Sequence, residues 1–462
     1  MRACAVVIVL LLAACGEQST PPRTGHYPTP QTQNLPAQAL PGGDTTHISL
    51  KPGTALSAEA FSHPASNLPP SKRGLFVLGN SFFTSAWVSA PASVSARDGL
   101  GPLFMAASCQ DCHVRDGRGH LPQRTGEPIR AAVLRIAQAD GAPHPLYGRH
   151  LQLRALPGVL PEADVGVEWI DHLETLPDGT EVSMRRPSLQ VGAWHYGAPG
   201  DIVISPRVAP SMIGLGLLEA IPQQALEQHA ARNSGRLNRL ADGGIGRFGW
   251  KATQPSVELQ ALDAFVNDIG ITSARFPAET CTAAQAECIA RPSGGQPGSE
   301  PELEPQIAEA VVFYARHLAV PARRDHDRPD VLAGEQLFHE LGCASCHQPE
   351  WTTGEIADSP ELSRQRIFAY TDLLLHDMGP GLADGVREFE AGGADWRTPP
   401  LWGLAQFKTV SGADAGYLHD GRARDLAEAI LWHGGEAQTA RDRWAALPKE
   451  QRRKLIRFLA SL

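Results

Sequence analysis

The chain has 462 residues and a formal net charge of −9 at pH 7, which argues against nucleic acid as a partner. Its length suggests two or three domains, and its 45 glycines and 38 prolines predict long loops between the regular elements. Cysteine is scarce, with eight in all, so the positions of the cysteines are informative.

The N-terminus looks like the signal of a bacterial lipoprotein. Residues 1–14 contain Arg2 and a short apolar run that ends in Leu-Ala-Ala before Cys15. The run is shorter than the roughly 20 apolar residues that cross a bilayer. We therefore expect a lipid anchor on Cys15 that tethers the protein to the periplasmic face of a bacterial membrane. The outer membrane is favoured because glycine, not aspartate, follows Cys15.

The next segment, residues 15–72, is rich in Pro, Thr, Gln and Ser and has no apolar periodicity. Such a composition predicts a flexible tether between the anchor and the body of the protein.

Each half of the remaining chain contains one copy of the pattern Cys-x-x-Cys-His. The copies consist of Cys109, Cys112 and His113, and of Cys343, Cys346 and His347. The pattern indicates covalent attachment of a c-type haem, in which two thiols bond to the porphyrin and the histidine binds iron. A zinc site would need the four thiols close together, but the pairs are 234 residues apart (343 − 109). We expect two covalent haems.

The elements around the two motifs recur in the same order, which suggests an internal duplication. A short helix is expected just before each motif, over residues 103–107 and 334–338. Each half then closes with an amphipathic helix, one with the apolar face Ile307, Val311, Tyr314 and Leu318, the other with Leu455, Ile456, Leu459 and Leu462.

We place the boundary between the halves near residues 321–324. This gives an N-terminal domain of residues 73–322 with insertions and a C-terminal domain of residues 323–462. The predicted fold is mainly α, with two cytochrome c-like helical haem domains and long loops. One insertion contains Cys281 and Cys288, which export would allow to form a disulfide; two free thiols in a surface loop are the alternative.

Seven further segments are informative together: 98–104 (DGLGPLF), 205–210 (SPRVAP), 214–222 (GLGLLEAIP), 246–252 (GRFGWKA), 370–379 (YTDLLLHDMG), 418–423 (LHDGRA) and 432–437 (WHGGEA). With the haem motifs, they make the chain resemble the bacterial di-haem cytochrome c peroxidase superfamily, and more closely its di-haem oxidoreductase branch. The resemblance covers nearly everything from Gly74 onward.

The resemblance implies a sixth ligand for the second haem. In the peroxidases, a His-Asp-Gly turn is followed fourteen residues later by the methionine that caps the electron-transferring haem; here, counting from His419 reaches His433 (433 − 419 = 14). Two histidine ligands should lower the reduction potential relative to His/Met, because imidazole stabilises ferric iron. A hydrogen-bonded histidine at a helix end is the alternative for His433, and Met378, His376 and His419 are rival ligands.

For the first haem, the resemblance implies catalytic roles for Trp250, Gln260 and Asp268. Trp250 would couple the haems, Gln260 would position peroxide and Asp268 would move a proton. Asp268 arrives two residues earlier than the family's acid and is followed by Ile269, not methionine. Ordinary structural roles are the alternative. The periodicity of residues 257–268 predicts a helix with Gln260 and Asp268 on one side.

Other side chains are weaker candidates. His120, His195 and Met212 are each a possible further ligand of the first iron. Arg186 and Arg397 stand at matching places in the two halves, where they would pair with haem propionates or serve as structural arginines.

The resemblance as a whole implies a di-haem c-type oxidoreductase that reduces peroxide at the N-terminal haem. Electrons would enter from a small cytochrome or copper protein and pass through the C-terminal haem. One alternative is an electron conduit without catalysis, with both irons six-coordinate; another is an oxidase of a protein or thiol substrate. Relatives also hold calcium between the domains, although residues 241–244 form no recognisable acidic loop here.

Overall fold

The computed structural model describes residues 35–48, 57–291, 294 and 301–462. The predicted signal peptide and Cys15 lie outside the described residues. Helices make up 31% and strands 18%, so the expectation of a mainly α fold is wrong: the fold is mixed α and β. The strands concentrate in the first half, where apolar and polar residues alternate with the period of two typical of a half-buried strand.

The α-helices of the described residues are α1 (Arg73–Thr84), α2 (Cys109–Cys112), α3 (Leu215–Glu219), α4 (Gln223–Ala230), α5 (Val257–Ala264), α6 (Ala286–Ile289), α7 (Pro305–Arg316), α8 (Pro329–Glu340), α9 (Phe407–Ser411), α10 (Leu426–Leu431), α11 (Gln438–Ala445) and α12 (Lys449–Leu459). None of the helices in this part of the chain combines the length and apolar character that a membrane crossing needs.

The described strands pair as two-stranded antiparallel sheets. The pairs are β1 (Leu103–Phe104) with β3 (Arg154–Ala155), β2 (Ala132–Gln138) with β6 (Ile202–Val208), β4 (Ala163–Thr175) with β5 (Glu181–Trp194), β7 (Trp351–Thr352) with β8 (Arg366–Ile367), and β9 (Leu375–Asp377) with β10 (Asp395–Arg397). The expected helix over 103–107 is therefore partly strand, whereas 334–338 lies in α8 as expected.

Strands β4 and β5 form a long hairpin that reaches from the first half onto the second. Its tip turns at Asp178 and Gly179, whose φ of 81° suits glycine. Arg452 of α12 pairs with Asp178 at 2.7 Å, and Arg441 of α11 pairs with Glu174 at 2.7 Å. The hairpin thereby joins the two halves.

The two halves share one helix crossing. In the first, α1 passes so close to α7 that a Cβ on Gly79 would lie 2.0 Å from the carbonyl oxygen of Ala310. In the second, α8 passes α12 so closely that a Cβ on Gly334 would lie 2.1 Å from the carbonyl oxygen of Lys454. In each half, a helix upstream of the haem motif crosses the closing helix at a glycine, which agrees with the predicted duplication.

The described part of residues 15–72 differs from the flexible tether that was expected. Phe61 is completely buried and Leu68 is 2% exposed. The N–H group of His47 donates to the carbonyl oxygen of Val320 at 2.9 Å. Apolar side chains anchor this segment to the body, and Phe61 belongs to an apolar cluster that also contains Trp402 of the second half.

Candidate haem sites

The first motif forms a single turn of helix, α2. The hydroxyl of Ser108 caps the turn by accepting the N–H of Asp111 at 3.1 Å. The Nδ1–H group of His113 donates to the carbonyl oxygen of Pro210 at 2.8 Å. Because Nδ1 carries the proton, Nε2 keeps its lone pair, as an iron ligand must.

A cavity of about 460 Å³ adjoins this motif. It is lined by Arg130, Arg154 and the base of the hairpin, including Gly166 and Gln190. The Sγ atom of Cys112 lies 3.8 Å from the carbonyl oxygen of Arg130. The first site therefore borders a space with both basic and acidic side chains in its wall, the latter being Glu127 and Asp164.

The second motif follows α8 directly. Gly342, at a φ of 93°, ends the helix and turns the chain into the 3-10 turn Cys343–Ser345. The Nδ1–H group of His347 donates to the carbonyl oxygen of Tyr370 at 3.0 Å. The two motif histidines are thus oriented in the same way: each ring donates its Nδ1–H to a backbone carbonyl oxygen, and Nε2 stays free to bind a metal.

A cavity of about 330 Å³ opens beside the second motif. Its walls contain both cysteines of the motif and His347, and they also contain all four candidate sixth ligands: His433, His376, His419 and Met378. The cavity, the paired thiols and the free imidazole nitrogen fit a covalently held haem.

His433 is the best placed of these four candidates. Its Nδ1–H group donates to the carbonyl oxygen of Ala429 at 2.7 Å, at the end of α10, so its Nε2 is free. Burial and, next in size, the proximity of His433 lower the pKa of His347 to about 4. The two neutral imidazoles therefore lie within electrostatic reach of each other in one cavity.

The rival histidines are engaged elsewhere. The ring nitrogens of His376 lie 2.9 Å from Asp372 and 2.8 Å from Glu436. Burial opposes the charge of His376, but the hydrogen bonds and charge interactions with Asp372 and Cys346 together outweigh burial and raise the pKa to about 11. An imidazolium has no lone pair for iron. The ring of His419 stacks on Trp396 at 3.7 Å, and burial lowers its pKa to about 3.

Asp268 is brought to the first motif by a change of helix type. Helix α5 ends at Ala264, and the single π-turn Phe265–Ile269 follows it where a continuous helix was expected. The backbone carbonyl of Asp268 accepts the N–H groups of Met105 and Ala106 at 2.8 and 3.1 Å, just before the motif. Burial raises the pKa of the Cys109 thiol to about 12, and the Asp268 carboxylate is the next largest contributor.

A histidine that sequence reasoning missed holds this carboxylate. The Nδ1–H group of His150 lies 2.8 Å from Oδ1 of Asp268. Arg135 donates to Nε2 of His150 and also pairs with Glu388. Because a guanidinium only donates, Nε2 must accept and Nδ1 must carry the proton. His150 and Asp268 are 118 residues apart, and no local pattern connects them.

Trp250 has contacts toward both sites. Its Nε1–H group donates to the carbonyl oxygen of Val208 at 2.8 Å, two residues before the Pro210 carbonyl that orients His113. Its ring lines the cavity of the second motif. Gln260 is not brought to the first motif by any described contact: its Oε1 atom is buried without a hydrogen-bond partner near Gly249.

The weaker candidates have other partners. His120 contacts the Leu121 carbonyl oxygen at 3.3 Å, and His195 lies 3.5 Å from a carboxylate oxygen of Asp164. The backbone N–H of Met212 donates to the carbonyl oxygen of Asp116, and its side chain packs against apolar clusters of the core. A ligand role for any of the three stays a prediction.

Two features bear on the remaining expectations. Cys281 and Cys288 form a disulfide. Within the described residues, no cluster of three or more His, Cys, Asp or Glu side chains is arranged to hold a metal ion such as the calcium of relatives. A cation of the chain itself joins the halves: the buried ammonium of Lys251 lies 2.8 Å from Asp384 Oδ1, 2.8 Å from the Val386 carbonyl oxygen and 2.7 Å from that of Gly392.

Two oriented histidines beside two thiol pairs, one in each half, define a protein built to hold two haem groups. The comparisons with known proteins agree with this class. The chain belongs to the family described as "Di-haem oxidoreductase, putative peroxidase", whose pattern matches residues 37–139 and 158–462. Two haem groups are the cofactors that this membership implies.

The other comparisons add little. No curated protein matches the chain. Among solved structures, it is similar to Kuenenia stuttgartiensis hydrazine synthase pressurised with 20 bar xenon, with 14% identity over 90% of this chain and 99% of that one. The TM-score of 0.31 is too low for that likeness to support an argument about fold or function.

Proposed function

We propose that this di-haem oxidoreductase reduces peroxide at the first motif, with electrons supplied through the second, and that both haems are attached through the motif cysteines. The observation that carries the proposal is an asymmetry between the two motif histidines. His347 and His433 line one cavity, and a backbone carbonyl engages Nδ1 of each ring. At the first motif, by contrast, the backbone of Asp268 joins the residues just before the motif, and His150 holds its carboxylate. His347 and His433 would therefore hold the second iron, whereas His113 would hold the first, with the Asp268 carboxylate available for proton transfer.

When bound, the haems would supply the redox chemistry, with one iron binding peroxide and the other holding an electron. The chain supplies the proton chemistry and the positioning. The Asp268 carboxylate, fixed by His150, would take a proton from one peroxide oxygen and deliver it to the departing one. The 460 Å³ cavity beside Arg130 would give a small polar substrate room close to the first motif.

Trp250 supports electron coupling between the sites. Its indole donates to the Val208 carbonyl oxygen on the strand that leads to Pro210, and its ring lines the second cavity, so it has a contact on the side of each site. Gln260 has no role in this proposal, because the described contacts place it beside Gly249.

An anaerobic redox titration followed by optical and electron paramagnetic resonance, with peroxide then added to the half-reduced protein, tests the proposal. We expect two haem equivalents in a pyridine haemochrome assay, one low-spin haem with two histidine ligands, and one haem that reacts with peroxide. His433→Ala should convert the low-spin signal to high-spin, and Asp268→Asn should slow peroxide turnover about 10²- to 10⁴-fold. Two low-spin haems that neither react with peroxide nor bind cyanide would instead indicate an electron conduit.

We also propose that the protein is a lipoprotein on the periplasmic face of a bacterial membrane and receives electrons from a small cytochrome or copper protein. The signal pattern before Cys15 supports export, and the disulfide of Cys281 with Cys288 supports an oxidising compartment. Cys15→Ala should release the protein from membranes in cell fractionation; unchanged membrane association would contradict the anchor.

A further inference from the structure

Two buried arginines in the second cavity have no counter-ion in the described structure. Arg118 and Arg397 are each 5% exposed, and both line that cavity. Neither forms an ion pair with a carboxylate of the described residues, and Nε of Arg118 has no hydrogen-bond partner there. Their other described hydrogen bonds go to backbone carbonyl oxygens, including those of Leu418 and Thr398. Burial lowers the pKa of each guanidinium to about 10. Carbonyl oxygens offset a buried positive charge only in part, so both side chains favour an anionic partner.

The two arginines are held against the same segment of the cavity wall. Arg118 lies between the rings of Trp250 and Phe407, with its guanidinium carbon 5.3 and 5.2 Å from the ring centres. The Nε–H group of Arg397 donates to the carbonyl oxygen of Gly249 at 2.9 Å, and its backbone N–H donates to that of Trp250 at 2.9 Å. Both side chains therefore contact the segment of Gly249 and Trp250 from the cavity wall.

Other buried arginines of the described residues are neutralised or lie outside the second cavity. Arg207 pairs with Asp384 at 2.8 Å and with Glu388 at 2.5 Å. Arg247 donates to the carbonyl oxygens of Glu219 and Ile221, near the end of α3, and does not line the second cavity. Arg118 and Arg397 differ from these arginines because they have no carboxylate partner among the described residues and they line a cavity that could hold an anion.

We propose that Arg118 and Arg397 form the binding site for the propionate carboxylates of the second haem. This inference rests on the proposed attachment of a haem at Cys343 and Cys346. A haem carries two carboxylates, and a guanidinium binds a carboxylate with two parallel hydrogen bonds. Arg397 belongs to the second half, but Arg118 follows His113 in the first, so the second haem also links the halves. Arg186, the expected counterpart of Arg397, is exposed on β5.

Removal of either positive charge should lower the reduction potential of the second haem. Reduction adds an electron to the haem, and a nearby buried cation favours that added negative charge. Loss of the cation would also leave a propionate uncompensated. Arg118→Gln and Arg397→Gln should each shift the reduction equilibrium of the second haem about tenfold toward the ferric form, which is about 59 mV for one electron.

The test uses the holoprotein with both haems attached. The potential of each haem is measured by spectroelectrochemistry, and resonance Raman reports the propionate-bending bands, which respond to hydrogen bonds at the carboxylates. The haem that becomes high-spin in His433→Ala identifies the second site. Arg118→Lys, which keeps the charge, should retain most of the potential but alter the Raman bands. Arg247→Lys is the matched control, a buried arginine outside the cavity, and should leave both readouts of the second haem unchanged.

The outcomes separate this inference from the proposed function. A lowered potential of the second haem together with shifted propionate bands supports it, whether or not peroxide is reduced. Two attached haems with unchanged potential and bands in both glutamine variants would overturn it and leave the peroxidase proposal intact. A shift confined to the first haem would also overturn it. Protein that lacks covalent haem would overturn both proposals.

Discussion

Replacement of His150 by phenylalanine tests how the Asp268 carboxylate is held. Phenylalanine keeps a ring of similar shape but removes both nitrogens, so Asp268 loses the hydrogen bond of 2.8 Å that fixes Oδ1. Arg135 keeps its ion pair with Glu388, so the change leaves no unpaired buried cation. The substitution therefore acts mainly on the orientation of Asp268.

The size of the effect follows from that bond. A hydrogen bond to a charged group contributes about 1.5–3 kcal/mol. At about 1.4 kcal/mol for each factor of ten, its loss would slow proton transfer about 10- to 150-fold. The Asp268 side chain is 23% exposed, so water replaces part of the lost interaction and the lower end, about tenfold, is expected.

Steady-state peroxide reduction, measured with an artificial electron donor, is the assay. The loss should appear in kcat with little change in KM, because His150 orients the carboxylate and does not bind substrate. His150→Asn should recover part of the rate, since its amide can donate from the position of Nδ1. His144→Phe is the control: its ring nitrogen contacts the Pro199 carbonyl oxygen at 2.9 Å and no carboxylate, so activity should be unchanged. Unchanged kcat in His150→Phe would refute the positioning role.

Three further changes have definite expected outcomes. Lys251→Met should lower the free energy of unfolding by about 3–5 kcal/mol, because it leaves the buried oxygens around the ammonium unpaired. As a control, the partly exposed Lys72→Met should lower it by under about 1 kcal/mol. Equal shifts of the denaturation midpoint in the two variants would contradict this prediction. Burial raises the pKa of Glu162 from 4.5 to about 8, so the folded state binds this proton more tightly than the unfolded state does. The free energy of unfolding should therefore fall as pH rises from 4.5 to 8. In urea titrations, Glu162→Gln should reduce the slope of this decline by up to about 1.4 kcal/mol per pH unit, and an unchanged slope would exclude Glu162 as its cause. Trp250→Leu should slow electron transfer between the haems in flash photolysis without altering either spin state, and an unchanged rate would exclude the indole from the route.

Local sequence patterns determined the parts of this protein that depend on neighbours in the chain. The spacing Cys-x-x-Cys-His places two thiols and an imidazole on one turn, so both motifs could be read directly, as could the amphipathic helices α7 and α12. The strands were missed although their alternation was present, because the haem motifs led to a helical interpretation of the whole chain. The long hairpin of β4 and β5 is the clearest case.

Only the tertiary structure decided which side chains meet across long separations. His150 reaches Asp268, Arg118 reaches the cavity of the other half, and His433 shares a cavity with His347. Such contacts depend on how the halves pack and on the π-turn that presents Asp268, and neither leaves a periodic signal in the chain. Five consecutive residues supply the thiols and the imidazole of each haem motif. The asymmetry between the two sites arises from packing, because charge and burial act through space and not along the chain.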